Sequence, residues 1–215
     1  ATDIRNQAIK ILQTNNPGLI VSYTLPVLPT GLTAEGVTIL TSAVKFGANI
    51  AVVNGMAMDY GSYAAPDGAT KMGAYAIQVG ESLYSQIQQA GLNALAGITP
   101  MIGVNDVQSE VFSLDNAREL VNWASSSNKV SFLAFWSCNR DVNNPTGPLY
   151  ASSQIQQNDY DFANIFVNYP SGDVEIPTTT STKSTTKQTS TTSISLSVTI
   201  KYETKTTTVY QDRTA

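Results

Sequence analysis

Histidine is absent from all 215 residues, which removes Ser-His-Asp and Cys-His nucleophile systems, histidine general bases and histidine metal sites from this chain. Carboxylates, tyrosines and amides must carry its chemistry. Cysteine occurs once, at Cys138, so neither an internal disulfide nor a thiolate cluster can form, and it reads as a small buried hydrophobe. Charge is also scarce. Charged residues make up 13%, and 12 Lys and Arg stand against 16 Asp and Glu, a net charge of −4. That is too few cations for a row of phosphate contacts, so no nucleic-acid partner is expected. No run of 18 apolar residues occurs, so no membrane span is expected. Neither G-x-G-x-x-G nor G-x-x-x-x-G-K-[ST] is present, which removes support for a nucleotide cofactor. No cofactor or metal is expected at all: Asp159 and Asp161 in NDYDFAN lack the glycine and bidentate glutamate of a calcium loop and read as helix N-terminal charge. No N-x-[ST] sequon free of proline exists, Asn144-Pro145-Thr146 being blocked. The start, ATDIRNQ, is neither a signal peptide nor a methionine start, so the sequence reads as processed or cut.

What is present is a core and a sharp compositional boundary. Hydrophobic residues make up 42%, enough to exclude a disordered chain over most of the length. Residues 177–215 contain 15 Thr and 6 Ser. This gives three parts: a globular domain over 1–176, a Thr/Ser-rich linker over 177–192, and the start of a further module or a disordered tail over 193–215. In the last part Ile194, Leu196, Val198, Ile200 and Tyr202 alternate with polar residues at a strand period. Thr/Ser tracts of this kind are typical of extracellular stalks and stay extended for want of apolar surface to bury, so a secreted or cell-wall location is expected.

Within 1–176, apolar runs alternate with helical patterns. Ile4, Ala8, Ile11 and Leu12 follow helical spacing over 2–14, and Asn15-Asn16-Pro17-Gly18 ends the pattern. Strands are expected at Leu19–Leu25, Asn49–Met58, Thr99–Val104 and Val130–Trp136, each hydrophobic throughout as in a sheet buried on both faces. Helices are expected at Thr33–Gly47 with Thr33 as N-cap, near Ala69–Gly91, from Ser113 or Asp115 to Ala124, and at Ser153–Phe166. Four strand–helix units in series give an α/β fold with a parallel sheet. Two architectures fit, a small doubly wound sheet or half of an eight-stranded barrel, and in both the chemistry sits at the strands' C-terminal ends. Tyr23, Asp59, Tyr60, Asn105, Asp106, Trp136, Asn139, Arg140 and Asp141 cluster at those ends. Arg140 and Asp141 read as a local ion pair.

The segments SYTLPVLPTGL, VVNGMAMDYG, TPMIGVNDV with FSLDNARELVNWA, and FLAFWSCNRD resemble glycoside hydrolase family 18, the chitinase family, in the order of barrel strands five to eight. The resemblance spans roughly residues 1–169. It implies (β/α) units from the second half of a TIM barrel, and a chitin-type substrate, β-1,4-linked N-acetylglucosamine. It also implies hydrolysis with retention in which the substrate's own acetamido group is the nucleophile, an exception to the two-carboxylate scheme. By that resemblance Asp59 and Tyr60 match the residues that hold the acetamido group and stabilise its developing cation. Trp136 matches a tryptophan floor beneath the sugar, where a flat indole suits a pyranose face. Met58, Asn105, Asp106 and Tyr23 complete the expected substrate-binding set, Asp106 serving equally well as a cap of the next turn.

The family's general-acid motif, D-x-x-D-x-D-x-E, is missing. The only D-x-E, Asp173-Val174-Glu175, lies in a Pro/Gly-flanked segment and reads as solvated charge. The expectation is therefore a fragment, inactive alone, whose half-barrel edges favour self-association. The alternatives are a non-catalytic, lectin-like chitin binder on a degenerate barrel and a self-standing doubly wound domain.

Overall fold

In the computed structural model, residues 1–170 are described; the linker and the segment beyond it, and Asp173-Val174-Glu175, lie outside them. The chain runs through α1 (Thr2–Asn15), β1 (Ser22–Leu28), β2 (Gly31–Leu32), α2 (Ala34–Phe46), β3 (Val52–Ala57), α3 (Met72–Gln89) and β4 (Leu95–Pro100). It continues through β5 (Gly103–Val104), β6 (Val111–Phe112), α4 (Leu114–Ser126), β7 (Val130–Leu133) and α5 (Asp161–Phe166), with single 3-10 turns at Cys138–Arg140 and Leu149–Ala151. Strands β1, β3, β4 and β7 pair in parallel in that order, β2 adds antiparallel to the end of β1, and β5 and β6 form a separate hairpin. Each parallel strand is laid beside the one before it. The order lacks the reversal that defines a doubly wound sheet.

Local signals set the helix ends. Thr33 accepts from Gly36 N at 3.4 Å to start α2, and Gly47 ends it with φ of 67°, a left-handed turn that glycine adopts without a Cβ penalty. Ser113 and Asn116 form a reciprocal capping box at α4. The buried residues Met72, Ala76, Val79, Leu83 and Ile87 recur at three- and four-residue steps along α3, and with Leu40, Leu120 and Val121 they meet Leu25, Val53, Ala96 and Ile98 in one core.

The edge strand β1 is buried on the helix-facing side only. Along β1, Tyr23, Leu25 and Val27 are buried whereas Ser22, Thr24, Pro26 and Leu28 are exposed. The uniform burial expected of each strand is thus corrected for β1, which is half-buried, whereas β3 keeps it, with Val52, Val53, Asn54, Gly55 and Ala57 all buried. On the other side of the sheet the buried Asn54 Nδ2 donates to Thr99 Oγ1 at 2.9 Å and to Thr24 Oγ1 at 3.3 Å. Gly97 is required there, since a Cβ would come within 2.9 Å of Val52 and 3.1 Å of Asn54 and Phe132.

Several boundaries move. The first strand runs three residues later than Leu19–Leu25 and through Pro26, which is tolerated because the outer side of β1 is paired only at Val27 and Leu28. The third begins at Leu95, not Thr99, and Gly103-Val104 belongs to the hairpin. The last helix starts at Asp161 rather than Ser153, since the Ser153 carbonyl receives Val104 N at 2.8 Å and Gln154 has a left-handed φ of 57°, so no helical ladder runs from Ser153. Helix α1 is reversed in its facing: Ile4 is 73% exposed and Ile11 60%, while Asn6 is fully buried. Its polar side holds it down. Asn6 Nδ2 donates to Ile39 O at 3.2 Å, Gln13 exchanges two hydrogen bonds with the Asn49 backbone, and Asp3 receives Ser42 Oγ at 2.6 Å and Lys45 Nζ at 3.0 Å.

Candidate functional site

The C-terminal ends of β1 and β3 border a cleft of about 400 Å³ lined by Pro26, Val27, Leu28, Thr33, Met56, Met58 and Asp59. Its lining is apolar except for Thr33 and the carboxylate of Asp59. Met58 and Asp59 are half-buried at its edge. Asp59 has a φ of 55°, the left-handed region, which for a residue with a Cβ costs on the order of 1 kcal/mol and is most readily adopted by Asn and Asp.

Hydrogen bonds from the β5–β6 hairpin hold that conformation. Val107 N donates to Asp59 Oδ1 at 3.0 Å, and Asp59 N donates to Asn105 Oδ1 at 3.4 Å. Asn105 is fully buried and anchored in turn, its Nδ2 donating to Met101 O at 2.9 Å and Gly103 O at 3.1 Å. Glu110, also fully buried, receives Tyr60 N at 3.1 Å and Gly61 N at 2.6 Å on its two carboxylate oxygens. Burial raises the Glu110 pKa above the ordinary glutamate value, against the lowering effect of those two amides, with the Asp59 charge adding to the rise.

Trp136 stands at the end of the β7 segment. Its backbone continues the ladder past Leu133, with Trp136 N donating to Pro100 O at 2.8 Å and Ile102 N to Trp136 O at 2.9 Å. Its peptide bond to Ser137 is cis, and the indole is 59% exposed. Beneath this end, the buried Arg140 guanidinium donates to the carbonyls of Ile102 at 2.7 Å, Val104 at 2.6 Å and Leu149 at 2.7 Å. Burial lowers its pKa, and the Asp106 and Asp59 charges oppose that.

The structure brings Asp59, Met58 and Trp136 to solvent at one end of the sheet and places the other expected residues differently. Tyr60 is not open to the cleft: its ring is buried edge-on against Tyr75, 6.3 Å between centroids, and its hydroxyl is sealed without a partner. Tyr23 lies on the helix-facing side, hydrogen-bonded to Asn6, with the Arg5 guanidinium 5.5 Å from its ring centre. Asn105 is a scaffold amide rather than a free sugar ligand, and Asp106 is exposed on the hairpin turn. No ion pair joins Arg140 to Asp141. Asp141 instead receives Gln157 Nε2 at 2.6 Å, Phe162 N at 3.1 Å and Ala163 N at 2.8 Å, and so caps α5. Cys138 is exposed rather than buried. Among the described residues no cluster of three potential metal ligands occurs, and no helix is long and apolar enough to cross a membrane. Sequence reasoning missed Glu110. Its one signal is a lone acidic residue directly before the apolar pair Val111-Phe112.

Comparison with known proteins bears on the fold. No family model matches the chain. A probable bifunctional chitinase/lysozyme of Escherichia coli K12 is 36% identical over 77% of the chain and 20% of its own length. Endochitinase 11 of Metarhizium anisopliae is 39% identical over 64% of the chain and 29% of its own length. Among solved structures, the catalytic domain of a hyperthermophilic chitinase from Pyrococcus furiosus superposes with a TM-score of 0.69 at 33% identity, covering 79% of this chain and 56% of that one. Another structure of that active domain is complexed with chito-oligosaccharides. The chain therefore has the chitinase-like fold of glycoside hydrolase family 18, matched over part of that fold. It spans less than a third of the curated relatives it matches and 56% of the solved domain.

Proposed function

We propose that the chain supplies the second half of the catalytic barrel of a secreted chitinase-type glycoside hydrolase, acting on β-1,4-linked N-acetylglucosamine polymers with the substrate's acetamido group as nucleophile. One observation carries this reading: Asp59 is fixed at the edge of an apolar cleft with Oδ1 occupied by Val107 N. Its second oxygen takes no hydrogen bond from the described residues. A carboxylate so oriented can take an acetamido N–H and stabilise positive charge developing beside it, while the apolar lining suits the acetyl methyl. Trp136, exposed at the same end of the sheet, offers a flat face to a pyranose ring. Tyr60, whose hydroxyl is sealed, is left out of this role.

Taken alone, the chain binds without cleaving. Glu110 is the carboxyl of the described residues whose pKa is raised, as a proton donor's would be, yet it is fully buried against backbone amides and out of reach of a glycosidic oxygen. A missing general acid typically lowers rate by about 10²–10⁴-fold. Calorimetric titration with chitotriose tests the reading. Trp136→Ala and Asp59→Asn should each weaken binding at least tenfold, and Lys10→Ala on α1 should leave it unchanged. Equal affinity in all four proteins, or no binding at millimolar sugar, would refute it.

A further inference from the structure

Three successive backbone amides, those of Asp59, Tyr60 and Gly61, are all received by side chains of the β5–β6 hairpin: the first by Asn105, the next two by Glu110. Asp59 closes the loop by taking Val107 N from the turn between those same two residues. Glu110 is itself rigid. Its own N–H donates to Val107 O at 2.8 Å and its carbonyl receives Asn105 N at 3.0 Å. Its side chain lies against Gly68, where an added Cβ would come within 2.8 Å of Glu110 Cγ. Val111 N donates to Gly68 O at 2.9 Å on the far side. A fully desolvated carboxylate is costly to bury, and here its return is two charge-assisted hydrogen bonds to the residues immediately following Asp59.

We propose that Glu110 is the positioning residue of Asp59: by holding the Tyr60 and Gly61 amides, its carboxylate fixes the left-handed turn that directs Asp59 into the cleft. Glu110 touches no ligand. It acts through the backbone, and the Asp59–Val107 hydrogen bond reports its action. The catalytic meaning of this arrangement rests on the reading of Asp59 given above, but the arrangement itself can be measured without sugar.

The test is amide hydrogen exchange followed by NMR on the whole chain, for wild type and Glu110→Gln. Glutamine keeps the shape and one acceptor but turns an N–H₂ toward an amide N–H. Exchange at Gly61 and Val107 should rise at least tenfold, while core amides such as Val53 and Ile98 keep their protection. Glu110→Asp, which retains the charge but withdraws it by one methylene, should show the same local pattern, and serves as the second variant if glutamine does not fold. Unchanged protection at Gly61 and Val107 overturns the proposal. So does a uniform loss that includes Val53 and Ile98, since that would make Glu110 a general stabiliser. Chitotriose affinity, measured in parallel, judges the Asp59 reading separately: a wild-type chain that binds no sugar refutes that reading and leaves the exchange result to decide the role of Glu110.

Discussion

Replacing Asp59 with asparagine, glycine and alanine separates its backbone demand from its chemistry. Asparagine keeps an Oδ1 acceptor for Val107 N, 3.0 Å away, and tolerates φ of 55°. It should lower stability by less than about 1 kcal/mol, the difference between a charge-assisted and a neutral hydrogen bond at a half-buried position. Glycine accepts the left-handed turn freely but loses the bond, at about 1.5 kcal/mol. Alanine loses the bond and, without the short polar side chain that eases this turn for Asp and Asn, bears roughly 1 kcal/mol more of left-handed cost, for a total near 2.5 kcal/mol. For a folded unit of this size 1 kcal/mol shifts Tm by about 2–4 °C, so alanine should melt roughly 5–10 °C below wild type, glycine about half as far, and asparagine close to it. Differential scanning calorimetry reads the order directly. Chitotriose affinity should follow another order, falling in all three because each removes the negative charge. Alanine melting no lower than glycine would refute the claim that the hairpin imposes a strained turn. Asparagine binding as tightly as wild type would refute the claim that the carboxylate is what the turn presents.

Gly80→Ala should destabilise by about 1–3 kcal/mol in urea unfolding despite its better helix propensity, because the new Cβ would sit 2.5 Å from Trp123 Cη2 and 2.9 Å from Ile98 Cδ1. The Asp3 carboxyl is held below the ordinary aspartate value, first by Ser42 Oγ and then by Lys45. Its depressed folded pKa makes its support of α1 complete above the unfolded value near 4 and lost as pH falls below it; amide exchange along Ile4–Ile11 should rise over that acid range, and Asp3→Asn should abolish the dependence. Wild-type chain should self-associate in sedimentation velocity at micromolar concentration through its exposed apolar groups, and the triple change Ile4→Ser, Ile11→Ser, Leu12→Ser should shift it toward monomer, a monomeric wild type being the outcome that counts against this.

The order of strand–helix units and the caps at Thr33 and Ser113 were legible in the sequence, because each rests on short-range chemistry: apolar periodicity and a side-chain oxygen before a helix. MAMDYG and WSCNRD pointed to Asp59 and Trp136 only through their resemblance to the chitinase family, since by themselves a strand-end Asp and a Trp after an apolar run read as a cap and a core residue. What sequence could not decide is which face of an element finds a partner. Periodicity shows that α1 has an apolar stripe, yet only packing showed that Asn6, Gln13 and Asp3 dock it and leave Ile4 and Ile11 outside. Tyr60 adjoins Asp59 in the chain, but a strand end turns neighbours to opposite sides, and the hydroxyl that reads as a sugar ligand is sealed in the core beside Tyr75. Glu110 lies 50 residues beyond Tyr60 and carries no local pattern. Its part arises only when parallel pairing of β3 with β4 brings the hairpin over the end of β3, where a buried carboxylate meets backbone amides that would otherwise lack acceptors.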